Sequence, residues 1–405
     1  MLNSYEIDKK LEPVLRSIEK NGVKLDVDLL KRMSSKLDKK IAILINEINK
    51  EFKEEINLNS PSQLAEVLYK KLQIKPRESG IKYKKRHFST SAQSLEKIKN
   101  KYPIVKKILQ YRELVKLKNT YVDPLPKQVD ENNRIHTHYA IDTSTGRFSS
   151  KNPNLQNIPV RTELGKEIRR AFIAENGKCL IKADYSQIEL RIMAHMAHDE
   201  AMIKIFKEGH DIHTQTGEEM GCDRRMAKVV NFGVLYGMSA YGLADTLKIS
   251  VEEAQFFIDK YFITFSNVKK FIDYQIKEAT DKGYAKTMFG RKREILELKS
   301  PNKYLRSFGA RAAVNTPIQG SAAEIIKLAM LKLADKCNQE NTDIKMILQV
   351  HDELVFEVSK DMVQEAVKII KNSMEQAAKL DVPLLVEIQI GNNWQDMQKI
   401  RTGQS

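Results

Sequence analysis

Cysteine is scarce. The 405-residue chain holds three, Cys179, Cys222 and Cys337, odd in number and far apart. That excludes a disulfide framework and any cysteine-based zinc site, and it fits a reducing compartment. No apolar run approaches membrane-spanning length. The amino terminus, MLNSYEIDKKLEPVLRSIEK, is charged throughout and lacks the apolar core of a signal peptide, so an intracellular protein is expected. Nothing matches G-x-x-x-x-G-K-[ST], which disfavours a Walker-type motor or helicase, and nothing matches H-E-x-x-H. Internal repeats and low-complexity tails are also missing.

Positive charge is abundant instead. The net charge is +15, and residues 1–130 hold 29 Lys and Arg against 17 Asp and Glu. A field concentrated in the first third suits a polyanion, nucleic acid or an anionic membrane surface, although a solvated lysine-rich surface gives the same numbers. With 41% hydrophobic and 30% charged residues, the length implies two or three globular domains with a real core.

The first 125 residues read as helices. LLKRMSSKLDKKIAILINEINKEF has apolar residues at helical spacing, and SPSQLAEVLYKKL opens with Ser60 as N-cap, Pro61 in the first turn and Gln63 closing a capping box. Between helices, IKYKKRHFSTS clusters basic residues around Tyr83, as a solvated loop or one that grips phosphates. PIVKKILQYRELVKLKNTY is a further helix, broken by Asp123–Pro126. KCLIKAD reads as a buried strand followed by the helix SQIELRIMAHMA. Residues 222–308 are mostly helical, and 311–340 form a helix pair or one long helix. A helix over Met362–Lys379 and a last strand, PLLVEIQIG, complete the pattern. Strands separated by helical insertions argue for an α+β core with helical subdomains.

Three segments carry chemistry. MILQVHDELVFEV, read as one extended strand, puts Asp352 on the same face as Leu348, Val350, Leu354, Phe356 and Val358. A carboxylate there needs compensation: a turn that exposes it, an ion pair, or a metal. Asp184 stands at the end of a second apolar strand, 168 residues earlier. Two such carboxylates suit magnesium, which takes one or two of them plus substrate phosphates. In RRMAKVVNFGVLYG, Arg224, Lys228, Phe232 and Tyr236 recur at i+4 along about 18 Å of helix. Cations followed by aromatics suit a triphosphate and then a base, and also an ordinary helix with its aromatics in the core. His195, His198 and Asp199 fit a metal less well than plain surface or satisfied histidines.

Together these pieces resemble the family A DNA polymerases, the group of bacterial DNA polymerase I. The matching residues are DYSQIELR (Asp184–Arg191), RRMAKVVNFGVLYGMSAYGL (Arg224–Leu243) and QVHDELVFEV (Gln349–Val358), in the order of the family's motifs A, B and C. TGRFSSKNPNLQNIPVRT, NTPIQGSAAEIIKLAM and the thumb-like NGVKLDV, FSTSAQSLEKI and ILQYRELVKLKNTYVDPLP extend the likeness over essentially the whole chain.

The resemblance implies an α+β right-hand polymerase fold with an antiparallel-sheet palm, helical fingers and a helical thumb. Expected divisions are thumb 1–126, with the first 25 or so residues packing on the palm, palm 127–211, fingers 212–308 and palm again 309–405. It implies two magnesium ions, with manganese as an acceptable replacement, held by Asp184, Asp352 and the carbonyl of Tyr185, with Glu353 supporting. Arg224 and Lys228 would bind the triphosphate, Lys228 also as a candidate proton donor. Phe232, Tyr236, His213, Gln187 and Tyr185 would complete the nucleotide site, and Glu189 would exclude the ribose 2′-hydroxyl. By spacing, Ser186 and Glu189 are instead a capping box. Arg147, Asn154, Gln156, Asn157, Arg311, Asn315, Gln319 and His351 would line primer and template. Arg112, Lys116, Lys84, Lys85 and Arg86 would hold the backbone from the thumb. The family also sets His351-Asp352 at a hairpin tip, not within one strand.

The expected partners are primer–template DNA and deoxynucleoside triphosphates, for a monomer in a bacterial, phage-like or organellar setting. The thumb match begins near Met1, where family members commonly carry an exonuclease domain, so intrinsic proofreading is not expected and a separate exonuclease is a conceivable partner. Rivals are a single-subunit RNA polymerase, disfavoured by Glu189, and a non-catalytic nucleic-acid clamp, which has no need of metal ligands.

Overall fold

A computed structural model describes residues 2–75, 81–84, 87–141 and 144–400. The chain divides into two compact units, one of Met1–Val23, His136–Asn157 and Ala174–Ser405, the other of Lys24–Ile135 and Ile158–Ile173.

The larger unit is built on a five-stranded antiparallel sheet. Its order is Lys345–Val350, Glu353–Ser359, Lys178–Tyr185, Val386–Gly391, Met397–Lys399. MILQVHDELVFEV is therefore a hairpin and not one strand. The ladder closes at Val350–Glu353, and His351 takes up the left-handed conformation (φ 53°) that the tight turn requires. That moves Asp352 off the apolar face assigned to it by alternation. The central strand Lys178–Tyr185 buries Cys179, Ile181, Ala183 and Tyr185, so Lys182 and Asp184 belong to its other face.

One helix, Lys303–Glu340, spans 38 residues and runs unbroken through Pro317, which settles the helix-pair alternative. The amino-terminal helix Ser4–Asn21 packs on it and on Lys345–Val350 through Ile7, Leu11, Leu15 and Ile18. Residues 188–282 are seven helices, including Ile188–Ala197, Ile212–Met220 and Arg224–Leu235. Several short pairings escape the sequence pattern, among them the hairpin Tyr284–Lys286 with Lys292–Glu294 and the edge strand Met397–Lys399.

In the second unit, the helices Val27–Phe52 and Pro103–Leu117 pack around Ile48, Phe52, Leu64, Leu68, Val105 and Ile108. Ser60 does cap its helix, accepting from the Gln63 amide. The expected capping box does not close: Gln63 Oε1 takes the Asn57 amide at 2.9 Å, and the Ser60 amide donates to the Asn57 carbonyl. Lys85 and Arg86, and the side chain of Lys84, lie outside the described residues. Among the described residues no helix is long and apolar enough to cross a membrane.

Candidate active site

Sheet register assembles the acidic part of the site. Asp184 stands directly opposite Glu353 on one neighbouring strand and Glu387 on the other, a cross-strand row of three carboxylates on one face. The hairpin tip adds a fourth, because the Tyr185 amide donates to the Asp352 carbonyl at 3.2 Å and ties the turn to the strand end. Like charges opposite one another destabilise a sheet unless something compensates. Glu353 is compensated: Trp394 Nε1 donates to it at 2.6 Å, and Lys182 Nζ lies 3.7 Å away. Glu387 pairs with Lys399 at 2.6 Å. Among the described residues no donor reaches the Asp184 or Asp352 carboxylates.

Burial, then the Glu353 and Asp352 charges, push the Asp184 carboxyl up to about 7, against the opposing Lys182. Burial likewise raises Asp352, and Arg147 opposes it. Two hard-oxygen carboxylates left without hydrogen-bond donors and disfavoured as free anions fit a divalent cation, which reverses the local electrostatics.

Asp184 and Asp352 open into a pocket of about 500 Å³. It gathers all eight nucleotide-site residues expected from the sequence, Tyr185, Gln187, Glu189, His213, Arg224, Lys228, Phe232 and Tyr236, with Arg147 and His351. The i+4 stripe holds because Arg224–Leu235 is one helix, N-capped by Asp223, with Tyr236 as its C-cap. Phe232 and Tyr236 lie nearly parallel, ring centroids 6.1 Å apart. His213 is buried behind Phe232, and its Nδ1 accepts from Asn231 Nδ2 at 3.1 Å, which leaves the proton on Nε2. Burial lowers its pKa to about 4, with Lys228 and Arg224 adding to the effect against Asp211, so the ring is neutral.

Glu189 is not a helix cap. The N-cap of Ile188–Ala197 is Gln187, in the left-handed conformation (φ 55°) and without a side-chain cap. Glu189 instead takes the Tyr236 hydroxyl at 2.6 Å and a hydrogen bond from Arg147. Tertiary partners have taken the carboxylate from its local role. Arg191 shapes the same turn by donating to the Ser186 and Pro383 carbonyls at 2.8 and 2.7 Å.

Other expected residues lie around the pocket. Gln156 and His351 share a small adjoining cavity with Arg147 and Asp352. Arg311, Asn315 and Gln319 form an i+4 stripe on the long helix. Arg311 packs against Gly237, where a Cβ would lie 2.9 Å from its Cγ, and Asn315 Oδ1 is buried without a partner among the described residues. Asn154 and Asn157 are exposed and line neither cavity. Arg112 and Lys116 belong to the second unit, where Arg112 donates to the Thr90 and Leu58 carbonyls. His195 and His198 both turn Nδ1 to Asp381, at 3.0 and 3.2 Å. Asp199 caps the helix Glu200–Lys207, which disperses that metal candidate.

Sequence reading missed two polar centres. Gln349 accepts from Gln156 Nε2 at 2.9 Å and donates to the His351 carbonyl at 2.6 Å, while its backbone is clasped by the Tyr139 hydroxyl. A glutamine inside MILQV was the available signal. Asp211 accepts from Arg224 Nε and Nη2 at 3.0 and 2.9 Å and from the Thr214 amide at 2.8 Å. An Asp with Thr three residues on marks an N-cap, but its partner Arg224 lies on another helix.

The fold is shared with a solved protein, the polymerase domain of Pol1 from M. smegmatis in complex with DNA primer–template and dNTP. The match has a TM-score of 0.90 and 37% identity over 96% of this chain and 70% of that one. This is the α+β polymerase fold. The chain belongs to DNA polymerase family A, whose family description matches residues 27–396. It is 46% identical over 400 residues to the thermostable DNA polymerase I of Thermus filiformis, covering 96% of this chain and 48% of that protein. To DNA polymerase I of Bacillus subtilis it is 43% identical over 403 residues, covering 96% and 45%. The chain thus spans about half the length of the curated relatives it matches. Membership implies dependence on a divalent metal ion.

Proposed function

We propose that the chain is a template-directed DNA polymerase that adds deoxynucleotides to a primer 3′-hydroxyl by in-line phosphoryl transfer. The observation that carries it is the convergence of Asp184 and Asp352 on a pocket walled by the Arg224–Tyr236 stripe and the Glu189–Tyr236 pair. Asp184, Asp352 and the Tyr185 carbonyl would hold two magnesium ions, or manganese in their place. Bound there, the ions supply charge neutralisation for the primer oxygen and the departing pyrophosphate.

The chain's own residues do the positioning on which such transfers depend. Arg224 and Lys228 bind the triphosphate, and Lys228 stands ready to protonate the leaving pyrophosphate. Neutral His213 offers Nε2–H to a phosphate oxygen. Phe232 packs on the sugar and base, with Gln187 and Tyr185 beside it. Tyr236 stacks at the templating position. Glu189, fixed by Tyr236 and Arg147, closes the space a ribose 2′-hydroxyl would need. Glu353, held by Trp394 and Lys182, keeps its charge near the metals without lining the pocket.

Arg147, Asn154, Gln156, Asn157, Arg311, Asn315, Gln319 and His351 meet the minor groove, whose acceptors are nearly independent of sequence and suit a geometry check. In this reading the sheet is the palm, the helices of 212–308 are the fingers, and the Lys24–Ile135 unit is the thumb. Arg112, Lys116 and residues 82–86 there meet the DNA backbone, making affinity fall steeply with salt. A cytoplasmic, bacterial setting accords with the organisms of the relatives.

Primer extension with magnesium tests the reading, comparing deoxy- with ribonucleotides alongside Asp352→Ala. Extension by the parent and its loss in Asp352→Ala are expected. No extension by the parent, or undiminished extension by the variant, defeats it.

A further inference from the structure

Asp211 lies behind the nucleotide pocket and not in its lining, yet it touches two of the residues that line it, Arg224 and Gln187. Its Oδ1 takes Arg224 Nε at 3.0 Å together with the amide and hydroxyl of Thr214 at 2.8 and 2.9 Å. Its Oδ2 takes Arg224 Nη2 at 2.9 Å and Gln187 Nε2 at 3.4 Å. The carboxylate also N-caps the nine-residue helix that carries His213 in its first turn. Arg224 and Gln187 line the pocket, from the helix Arg224–Leu235 and from the turn after Asp184 respectively. One buttressed anion thus joins three separate chain segments.

A guanidinium has five N–H groups and two bidentate edges. Asp211 occupies the Nε–Nη2 edge and leaves the Nη1–Nη2 edge for a ligand. An arginine held along one edge cannot swing freely, so its other fork is presented in a defined plane, the arrangement that suits bidentate phosphate binding. Arg224 is otherwise largely solvent-exposed, and nothing in its own helix would confine it.

We propose that Asp211 is a positioning residue for the triphosphate: it orients the Arg224 fork, and braces the turn carrying His213, so that both meet a polyphosphate without reorganisation. The proposal rests on Arg224 being a phosphate ligand, as argued above. Asp211 itself does not touch the nucleotide.

The test is Asp211→Asn, which keeps a good N-cap but removes the charge and one acceptor oxygen. Single-nucleotide incorporation should show KM for the deoxynucleotide raised about tenfold and kcat changed less than about threefold, with primer–template affinity unchanged. Binding of inorganic pyrophosphate, measured by calorimetry without turnover, should weaken in parallel. Asp211→Ser retains a cap yet cannot reach Arg224, and should reproduce the shift should Asn disturb folding. In an Arg224→Lys background, which has no fork to orient, the same substitution should move KM less than twofold. An unchanged or lowered KM, an unchanged pyrophosphate affinity, or an equal shift in the lysine background overturns the proposal. A parent chain that binds pyrophosphate in an Asp211-dependent way but extends no primer would defeat the polymerase reading instead.

Discussion

The Tyr236 hydroxyl donates a 2.6 Å hydrogen bond to Glu189 Oε2, and Arg147 occupies the other carboxylate oxygen. Glu189 is 5% exposed. Burial raises its pKa, while Tyr236 and Arg147 work in the opposite direction. A carboxylate held from both sides is a fixed wall at the edge of the pocket, and under the proposed function it would discriminate between sugars by shape.

Glu189→Ala should therefore relax sugar selection. A ribose hydroxyl would need the space that the fixed carboxylate fills, and pushing Glu189 off Tyr236 or Arg147 would cost about 1–3 kcal/mol. Removing the wall should narrow the ratio of kcat/KM for deoxy- over ribonucleotides by roughly 5- to 150-fold. Tyr236→Phe, which leaves Arg147 in place, should narrow it less. The ratio is measured by single-nucleotide incorporation with each sugar; a change below about threefold in Glu189→Ala would sink the gate.

Asp184→Asn should separate stability from activity. Asp184 faces Glu353 and Glu387 across the sheet, and removing one of three neighbouring charges relieves repulsion worth up to about 1 kcal/mol. In chelator, the variant should melt about 2 °C above the parent. Magnesium should raise the parent's melting temperature and leave the variant's nearly unmoved, while extension falls more than about a hundredfold. A variant that melts lower in chelator would contradict the repulsive row.

What could be read from the sequence depended on the distance over which each feature is encoded. The Arg224, Lys228, Phe232, Tyr236 stripe lies within one helix, where i+4 spacing alone sets the face, and the structure keeps it. Asp184 at the end of an apolar strand was legible for the same local reason. Its opposition to Glu353 and Glu387 was not, because register between strands so far apart in the chain is decided by the whole sheet. Glu189 shows the reverse failure. Its capping spacing is genuine local grammar, but Tyr236 and Arg147, brought in by the fold, bind the carboxylate instead. Asp211 is a mixture: its cap on Thr214 follows from spacing, and its hold on Arg224 does not.

The amino-terminal helix should be anchored by charge as well as by its apolar stripe. Asp8 pairs with Lys327 at 2.8 Å and with Arg291 at 2.6 Å, and the Lys327 side chain is fully buried. Burial lowers the Lys327 pKa, opposed mainly by Asp8. Asp8→Ala should strand that cation and cost about 3–5 kcal/mol. Lys327→Met should recover part of the loss when combined with Asp8→Ala, because no buried cation then lacks its partner. Urea unfolding of both single variants and the double measures the coupling; strictly additive losses would refute it.

A pH-dependent contribution should reside in the second unit. Lys118 Nζ lies 2.7 Å from Asp123 Oδ2, 2.9 Å from Ser34 Oγ and 3.2 Å from Asp38 Oδ1. Burial pushes Lys118 down, but its bonds to Asp123 and Asp38 outweigh that and raise its pKa. For Asp123, burial is likewise outweighed by Lys118 and Ser34, so its pKa is lowered. A lowered carboxyl stabilises the fold above its unfolded pKa of about 3.9, and the contribution vanishes as pH falls through the folded value. A raised lysine stabilises below about 10.4 and ceases to do so as pH climbs through its folded value. Asp123→Asn should consequently cost about 1–3 kcal/mol at pH 7. The gap to the parent should narrow progressively below about pH 4, as the parent's own carboxylate protonates. Urea midpoints of both proteins at pH 7 and near pH 3.5 provide the comparison. An equal gap at both values would mean that Asp123 acts through packing and not through its charge.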